Sequence, residues 1–528
     1  MEKYFSLLWE SEDSYREWKA RIYGGEEGYI ADLNLKFVYE EIYRAGKFWD
    51  QYGFEEIFLH PCAKCSTVIL RQKVMKQLYQ NAVIYEAAEE FVACVSAIQR
   101  GLERIGDTKD EKKKMIFALQ ARYDFLAGLE RVCGKVSEQA ETGTPLDVGI
   151  EKMADFISDS RVVAERKRLS EFLTLLGQNM PQSIILNKDK GQNCHSVVVD
   201  PEGVQDCEYT KRLKKWAQPF IGAFDFTIGI YQNMDITYLD KRIQEQVCLR
   251  RPELVEELGG LYEAYGKYDI CQFVRVAREL VFYLACIRFV REYEKAGFFF
   301  CMPVCTPLQD TSVREAYDMT LAINLYQNKK GCQVVSNDYQ LSDNRCIFIL
   351  TGANQGGKTT FIRSVGVIQC LAQVGMFVPC RKASLGIVGN IHTLFSREDE
   401  RGASVGRFEQ ELQRVHSILQ NLQERDMVLL NETFTSTQRS TAVILLKRLL
   451  REIAHKQCRG GLVTHFYEVG DGLESEGFFS LITEVEGEGE YKERTYKIRE
   501  GESFRYSYAK DIAVKCGVTY ERLMEEME

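Results

Sequence analysis

Several familiar signals are missing from this chain, and each absence narrows the field. The opening residues, MEKYFSLLWESEDSYREWK, mix acidic with apolar side chains and contain no uninterrupted apolar core, so no secretory signal is expected. No run of about 18 apolar residues occurs. The longest candidate, Leu280 to Val290, is cut by Arg288 and flanked by Arg278 and Arg291, which argues against a membrane partner. A surplus of basic charge is missing too: 68 Lys and Arg face 77 Asp and Glu, a formal net charge of −9. That balance does not advertise nucleic-acid binding, although local basic stretches such as Lys211-Arg212-Leu213-Lys214-Lys215-Trp216 exist and an acidic total does not exclude it. Internal repeats and low-complexity tracts are absent. Cysteine is plentiful at 17, but the residues are odd in number and scattered singly, with one CxxC at Cys62 and Cys65 and no second pair nearby. This pattern reads as reduced thiols of a cytoplasmic protein, not as a disulfide framework or a four-ligand zinc site.

What is present supports a folded protein of more than one domain. A chain of 528 residues suggests two to four domains, and 45% hydrophobic with 11% aromatic residues supplies a packed core. Residues 1–300 read as mainly helical, with Leu, Ala, Glu, Lys and Arg at helical spacing over 70–105, 110–138, 150–176 and 250–296. Between about 180 and 235 the pattern changes. Ser183-Ile184-Ile185-Leu186 and Ser196-Val197-Val198-Val199 read as strands around the turn-rich Asn187-Lys188-Asp189-Lys190-Gly191, predicting a small β-containing insert. The segment Cys301 to Pro307 holds two prolines and closes the helical region. From 301 to 528 strands and helices alternate: strand Cys346–Leu350, helix Lys358–Gly375, strand Met427–Leu430, helix Gln438–His455 and strand Gly461–Thr464. Such alternation predicts an α/β domain with a largely parallel sheet covered on both faces.

Three motifs carry chemistry. Gly352-Ala353-Asn354-Gln355-Gly356-Gly357-Lys358-Thr359 matches the phosphate-loop signature G-x-x-x-x-G-K-[ST] in full, between an apolar strand and a helix. Glycines let backbone N–H groups close around phosphates, and the new helix points its positive end at them. Lys358 is then placed for the β- and γ-phosphates and the Thr359 hydroxyl for magnesium. Met427-Val428-Leu429-Leu430-Asn431-Glu432 resembles a Walker B strand in which Asn431 replaces the first acid. Glu432 keeps a carboxylate where a general base would orient water. Asn431 can hold a magnesium-bound water but brings no charge, a loss worth about 1.5–3 kcal/mol. Val463-Thr464-His465 ends the next apolar strand, where a histidine can sense a γ-phosphate by hydrogen bonding. The other five histidines have no comparable setting. Phe408, Leu412, Val415, Ile418, Leu419 and Leu422 form an apolar helix stripe, read as core.

On these motifs the chain resembles the MutS family, whose ATPases belong to the ABC class. The loop TGANQGGKTT, ending in Thr359-Thr360, is similar to that family's TGxNxGGK[ST]T. Asn337 to Leu341 resembles the short segment before the family's phosphate-loop strand, and Ala372 to Cys380 its A-x-x-G-x-[FY]-V-P-A stretch. Thr435-Ser436-Thr437 matches the end of its G-T-S-T element, with Phe434 in the glycine's place, and Thr464-His465-Phe466 matches T-H-[YF]. Upstream, Val68 to Gln99 and Leu280 to Ala296 look like the family's connector and lever helices.

The resemblance implies an ABC-type P-loop ATPase domain over 301–528, preceded by a helical connector, core and lever region over 1–300. It implies ATP and Mg2+ as cofactors, with Gly352, Asn354, Gly356, Gly357, Lys358, Thr359 and Thr360 at the phosphates. Val335, Asn337 and Asn354 would lie around the adenine, with Tyr496 in the stacking position. Thr359 and Asn431 would face the metal, and Glu432 and His465 the reacting phosphate. Family ATPases complete each site with a partner subunit's loop, here Gly402 to Phe408, so Ser404 and Gly406 would act in trans in a homodimer. The partner implied is DNA. Nothing near the N-terminus resembles the family's Phe-x-Glu mismatch-reading segment, and the chain stops soon after Glu521 without an endonuclease-like extension. Recognition of a mismatch by that segment is therefore not carried over, and the expected target is distorted duplex in general, whether mismatched or branched. The alternative reading is an ABC-type nucleotide switch acting on a protein partner.

Overall fold

The structure is a computed structural model, and the residues it describes are 5–22, 28–46, 53–107, 111–141, 148–157, 160–178, 183–188, 194–200, 252–266, 268–307, 310–352, 355–396, 406–473, 476–486 and 493–501. Two compact units emerge, one made of Met1–Ala82 with Arg278–Glu528 and the other of Val83–Ala277. The boundary near 300 drawn from the sequence does not coincide with this partition. The reason is physical: helices at both ends of the helical region are buried against the α/β part.

In chain order the first helices are α1 (Glu12–Ile22), α2 (Gly28–Asp32), α3 (Leu35–Ala45), α4 (Glu55–Leu59) and α5 (Cys65–Gln80). The long helices α6 (Ala82–Asp107) and α7 (Glu111–Glu141) follow, then α8 (Val148–Ile157) and α9 (Ser160–Gln178). The helical run expected over 70–105 is two helices, because Asn81 takes an extended conformation between α5 and α6. Asparagine competes with the helical backbone for hydrogen bonds, which makes it a natural break point. Strands β1 (Ser183–Lys188) and β2 (Cys194–Asp200) pair antiparallel, with Ile184 opposite Val199, as the two apolar runs predicted. The rest of the expected insert, 201–235, lies outside the described residues. Next come α10 (Pro252–Tyr265) and α11 (Cys271–Lys295).

The second unit is held by side chains of α7, α9 and α10. Leu119, Leu126, Leu169, Phe172, Leu258 and Leu261 form its apolar cluster. Arg122 grips Glu165 with two hydrogen bonds of 2.6 and 3.1 Å while its guanidinium lies 4.2 Å from the Tyr268 ring centre.

The first unit contains two sheets. Its remaining elements are β3 (Val304–Thr306), β4 (Thr311–Ala316), α12 (Met319–Gln327), β5 (Asn337–Leu341), β6 (Ile347–Thr351), α13 (Lys358–Val374), β7 (Lys382–Gly386) and β8 (Ile391–Phe395). They continue with α14 (Arg407–Asn421), β9 (Met427–Asn431), α15 (Arg439–His455), β10 (Arg459–Val463), β11 (Phe478–Glu486) and β12 (Glu493–Glu500). The larger sheet has the order β12-β11-β6-β10-β9-β8, parallel throughout except for the antiparallel β12. Every residue of β6, β9 and β10 is buried, which is why β6 and β9 appear in the sequence as nearly continuous apolar runs, while β10 opens with Arg459 and two glycines before Leu462 and Val463. The smaller sheet, β3-β7-β4-β5, is mainly antiparallel and was not expected from the sequence. Its strands are short and half-polar, as in Asn337-Asp338-Tyr339-Gln340-Leu341, and so leave no apolar run.

One face of the larger sheet carries α14 and α15 through Val415, Ile418, Leu422, Leu446, Leu449 and Leu450. Leu412, expected in the α14 core stripe, is exposed instead. Helix α13 packs on β9 and β10 and also on α4, α5 and α12. It is buried nearly all round, as a helix between two layers must be. A side chain at Gly366 would collide with both Leu33 and Leu429, so the helix is gripped from the sheet and from the α2–α3 segment. At its other end Arg71, fully buried, donates to Leu8 O and to Val374 O, the last carbonyl of α13, with its guanidinium 4.3 Å from the Trp9 ring centre. A cation at a helix C-terminus is favourably placed against the helix dipole.

Asp32 is the clearest polar tie between the first helices and the larger sheet. Its buried carboxylate accepts from Thr393 Oγ1 at 2.8 Å, Phe395 N at 3.3 Å and Arg414 Nη2 at 3.2 Å. Asp32→Ala leaves those donors without their acceptor and is expected to lower unfolding free energy by about 2–3 kcal/mol. Urea denaturation will measure it, and a change under about 0.5 kcal/mol, the level of an ordinary surface substitution, would contradict this account.

Candidate functional site

The site forms where the parallel strands end. Val463 of β10 pairs with Leu350 of β6 on one side and with Asn431 of β9 on the other. The residues that follow each strand therefore emerge side by side. Glu432 N donates to Val463 O at 2.9 Å and Thr464 N to Leu350 O at 3.1 Å, so the pairing extends one residue beyond the regular strands.

After β6 the chain enters a glycine-containing loop. Gly352 has φ 141°, Gln355 φ 60° and Gly357 φ 87°, positive values of the kind found in loops whose backbone N–H groups bind anions. The buried Gly356 lies between the last two. Gly352 has no room for a side chain, since a Cβ there would sit 2.1 Å from Thr483 Oγ1. Helix α13 starts at Lys358 with no side-chain cap, which leaves its first N–H groups facing the loop. Together these features make an anion-binding cradle.

Lys358 reaches back across this cradle. Its ammonium, on a side chain only 6% exposed, donates to Gly352 O at 3.0 Å and stands 3.9 Å from Glu432 Oε1. Burial lowers its pKa, and the Glu432 carboxylate opposes that shift. The next residue, Thr359, donates its hydroxyl to Asn431 Oδ1 at 3.3 Å, and Thr360 follows on the first turn of α13. Glu432 Oε2 lies 2.8 Å from His465 Nδ1. Lys358, Thr359, Asn431, Glu432 and His465 thus converge from α13, β9 and the end of β10.

A second group borders the loop. Pairing of β11 with β12 shifts between Thr483 and Val485, and Tyr496 takes φ 57° in the bulge. A bulge re-aims a side chain. Here it brings the Tyr496 ring to 3.5 Å from where a Cβ on Gly357 would be, and leaves the residue 46% exposed. Asn337 braces the bulge, donating to Tyr496 O at 3.2 Å and accepting from Ile498 N at 2.7 Å. Val335, 38% exposed, precedes it. Gly406 is the N-cap of α14 with open space around its Cα. Asn354 and Ser404 lie outside the described residues.

Sequence reasoning missed three neighbours. Arg494 Nη1 donates to Gln355 Oε1 at 2.9 Å, and Thr483 packs on Gly352. Buried Glu411 accepts from Phe434 N at 3.0 Å and Ser436 Oγ at 3.3 Å. Of these only Glu411 left a trace: it is a charged residue three positions after Phe408 and four before Val415, within the apolar stripe. A larger cavity of about 350 Å3, lined by Trp18, Arg21, His60, Lys64, Asn390 and His392 among others, sits at the opposite end of β8 from the site. Among the described residues no group of three or more His, Cys, Asp or Glu is arranged to hold a metal ion, and no helix is long and apolar enough to cross a membrane.

A parallel sheet with a glycine loop between β6 and α13, and a carboxylate at the matching end of β9, defines a phosphate-loop α/β domain. Residues 348–523 match the family model described as MutS domain V. Over that stretch the chain is similar to the MutS family. It is 23% identical over 481 residues to the DNA mismatch repair protein MutS of Fervidobacterium nodosum, covering 88% of this chain and 57% of that one. The protein of the same name from Thermotoga petrophila is 31% identical over 188 residues, 35% of this chain and 23% of its own length. That of Prochlorococcus marinus strain MIT 9301 is 31% identical over 176 residues, 32% of this chain and 19% of its own. The chain thus spans little more than half the length of these relatives at most.

Crowding at Gly352 gives a direct test. Gly352→Ala forces a Cβ onto Thr483 Oγ1 and is expected to cost about 1–3 kcal/mol. Thr483→Ala in the same chain should recover part of that loss, and additive effects of the two substitutions would contradict the packing.

Proposed function

We propose that this protein hydrolyses ATP, in a site completed by a second copy of the chain, to control its binding to mismatched, branched or distorted DNA. The observation that carries the reading is the convergence of Lys358, Thr359, Asn431, Glu432 and His465 beside the glycine loop of a MutS domain V. The cradle's left-handed turns and the uncapped start of α13 fit a chain of phosphates. Lys358, held by a loop carbonyl and drawn toward Glu432, is placed to give its charge to the β- and γ-phosphates. Glu432, hydrogen-bonded to His465, is placed to orient a water and take its proton. His465 then holds the carboxylate in that direction and can donate toward the terminal phosphate. Tyr496 and Val335, both exposed beside Gly357 and Asn337, supply an apolar bed for the adenine. Mg2+, held through Thr359 and Asn431, would neutralise charge on the phosphates.

DNA enters through the likeness to proteins named DNA mismatch repair protein MutS. Phosphate contacts and the ease of deforming the duplex would carry recognition of distorted DNA, so affinity should fall steeply with salt. An acidic chain can still do this where basic residues of two subunits line a shared channel.

The test is ATP turnover with no DNA, plain duplex, a single-mismatch duplex and a four-way junction, with binding measured at several salt concentrations. Turnover that depends on both Lys358 and Glu432, together with tighter binding of distorted than of plain duplex, is expected. Hydrolysis that no DNA alters, with no DNA bound, would point to a protein partner instead. Absence of nucleotide binding in the unsubstituted protein would overturn the reading.

Asn431 yields a separate expectation. Asn431→Asp restores a carboxylate beside Thr359 and should tighten magnesium binding about 10- to 100-fold, the equivalent of one charge-assisted hydrogen bond. A magnesium titration showing equal or weaker affinity would mean that the surroundings are built for the amide.

A further inference from the structure

The chain leaves β9 through a turn that amino acids other than glycine rarely adopt. Glu432 has φ 54° and Phe434 φ 62°, two left-handed residues within three. The Cβ atom disfavours this region, and such conformations persist only where the surroundings over-determine them. The turn is also the one on which Glu432 depends, because it sets how the backbone departs after Glu432 N has donated to Val463 O.

Helix α14 supplies what holds the turn. Glu411 is buried, and its Oε2 accepts from Phe434 N at 3.0 Å and from Ser436 Oγ at 3.3 Å. One helical turn earlier, Phe408 meets the buried Phe434 ring edge-on with centroids 5.9 Å apart. Both attachments come from the same face of α14, at positions i and i+3. Arg407 stands 3.8 Å from the other carboxylate oxygen, on a half-exposed side chain. Glu411, Glu432 and Thr433 all line one small cavity of about 20 Å3, with Ser396 and Arg414. Glu411 is thus tied to the turn through its backbone and shares that small cavity with Glu432.

We propose that Glu411 is a positioning residue for Glu432: by accepting from Phe434 N it holds the left-handed turn and so the direction of the Glu432 carboxylate. The proposal deepens, and rests on, the reading of Glu432 as the residue that orients the attacking water. Glu411 itself touches none of the groups assigned to nucleotide. What the turn requires of it is an acceptor oxygen at the right reach. A neutral amide at the same position meets that requirement, and a thioether or a shorter carboxylate does not.

The experiment compares wild type, Glu411→Met and Glu411→Gln by steady-state ATP hydrolysis, nucleotide affinity and hydrogen exchange of the segment 432–437. Glu411→Met, similar in size but without an acceptor, should lower kcat at least tenfold while KM and nucleotide affinity stay within about twofold. The Phe434 amide should exchange at least tenfold faster. Glu411→Gln should recover most of the turnover and the protection. If Glu411→Met does not fold, Glu411→Asp, one methylene short of the amide, is expected to show the same kcat and exchange effects. Wild-type kcat in the variants lacking the acceptor would overturn the proposal, as would a loss shared equally by Glu411→Gln or a parallel loss of nucleotide affinity. If the wild-type protein binds nucleotide but does not hydrolyse it, the catalytic reading of Glu432 fails. Exchange at Phe434 then decides separately whether Glu411 holds the turn, and unchanged protection in Glu411→Met would refute it.

Discussion

Strand β10 lies between β6 and β9, hydrogen-bonded to both, and this double pairing spaces every side chain of the candidate site. Neighbouring strands stand about 4.8 Å apart, so the ends of β6 and β9 are separated by about 10 Å. That gap is what the Lys358 side chain crosses from the start of α13 toward Glu432. Two glycines at the start of β10 make the insertion possible. A Cβ at Gly460 would fall 1.9 Å from Val428 O on one neighbour, and one at Gly461 would fall 2.1 Å from Phe348 Cζ on the other. The strand that leads to His465 fits because the two residues after Arg459 are bare backbone.

Charge in the site is finely set. Burial disfavours the ammonium of Lys358, and the Glu432 carboxylate offsets part of that cost. With Asn431 in place of an acid, Glu432 is the one carboxylate among the converging residues, so it serves both as counter-charge to Lys358 and as partner to His465. Phosphates arriving at Lys358 would release Glu432 from the first of these tasks.

The sequence made the central strands legible because burial on both faces demands apolar residues, in a full run for β6 and β9 and as Leu462 and Val463 for β10. The expected 346–350, 427–430 and 461–464 match β6, β9 and β10 to within two residues at either end. The loop and its helix were legible because glycine, lysine and threonine at that spacing have few other uses. Strand order was not, since nothing local to Val463 says that β10 pairs between two strands distant in sequence. The bulge at Tyr496 was equally hidden: it arises from a mismatch in pairing with β11, not from a turn residue. Glu411 was overlooked because a carboxylate inside an apolar stripe looks like an ordinary solvent-facing position. Its partner is a backbone amide, which no side-chain pattern reveals. Phe434 was visible as a departure from glycine, but its left-handed backbone was not.

The match to MutS domain V covers 348–523, yet the compact unit containing it also takes in residues up to Ala82. Helix α13 depends on that contribution, with Leu33 against Gly366 and Arg71 at its final carbonyl. The two parts of the unit are separated in the chain by residues 83–277. At a synthesis rate of about 5–20 residues per second, the ribosome needs about 10–40 s to traverse that stretch. For that interval the apolar surfaces of α3, α4 and α5 exist without the helix and sheet they will cover. The early helices are thus half an interface until residues 278–528 are made, which makes the order of synthesis part of how this unit is reached.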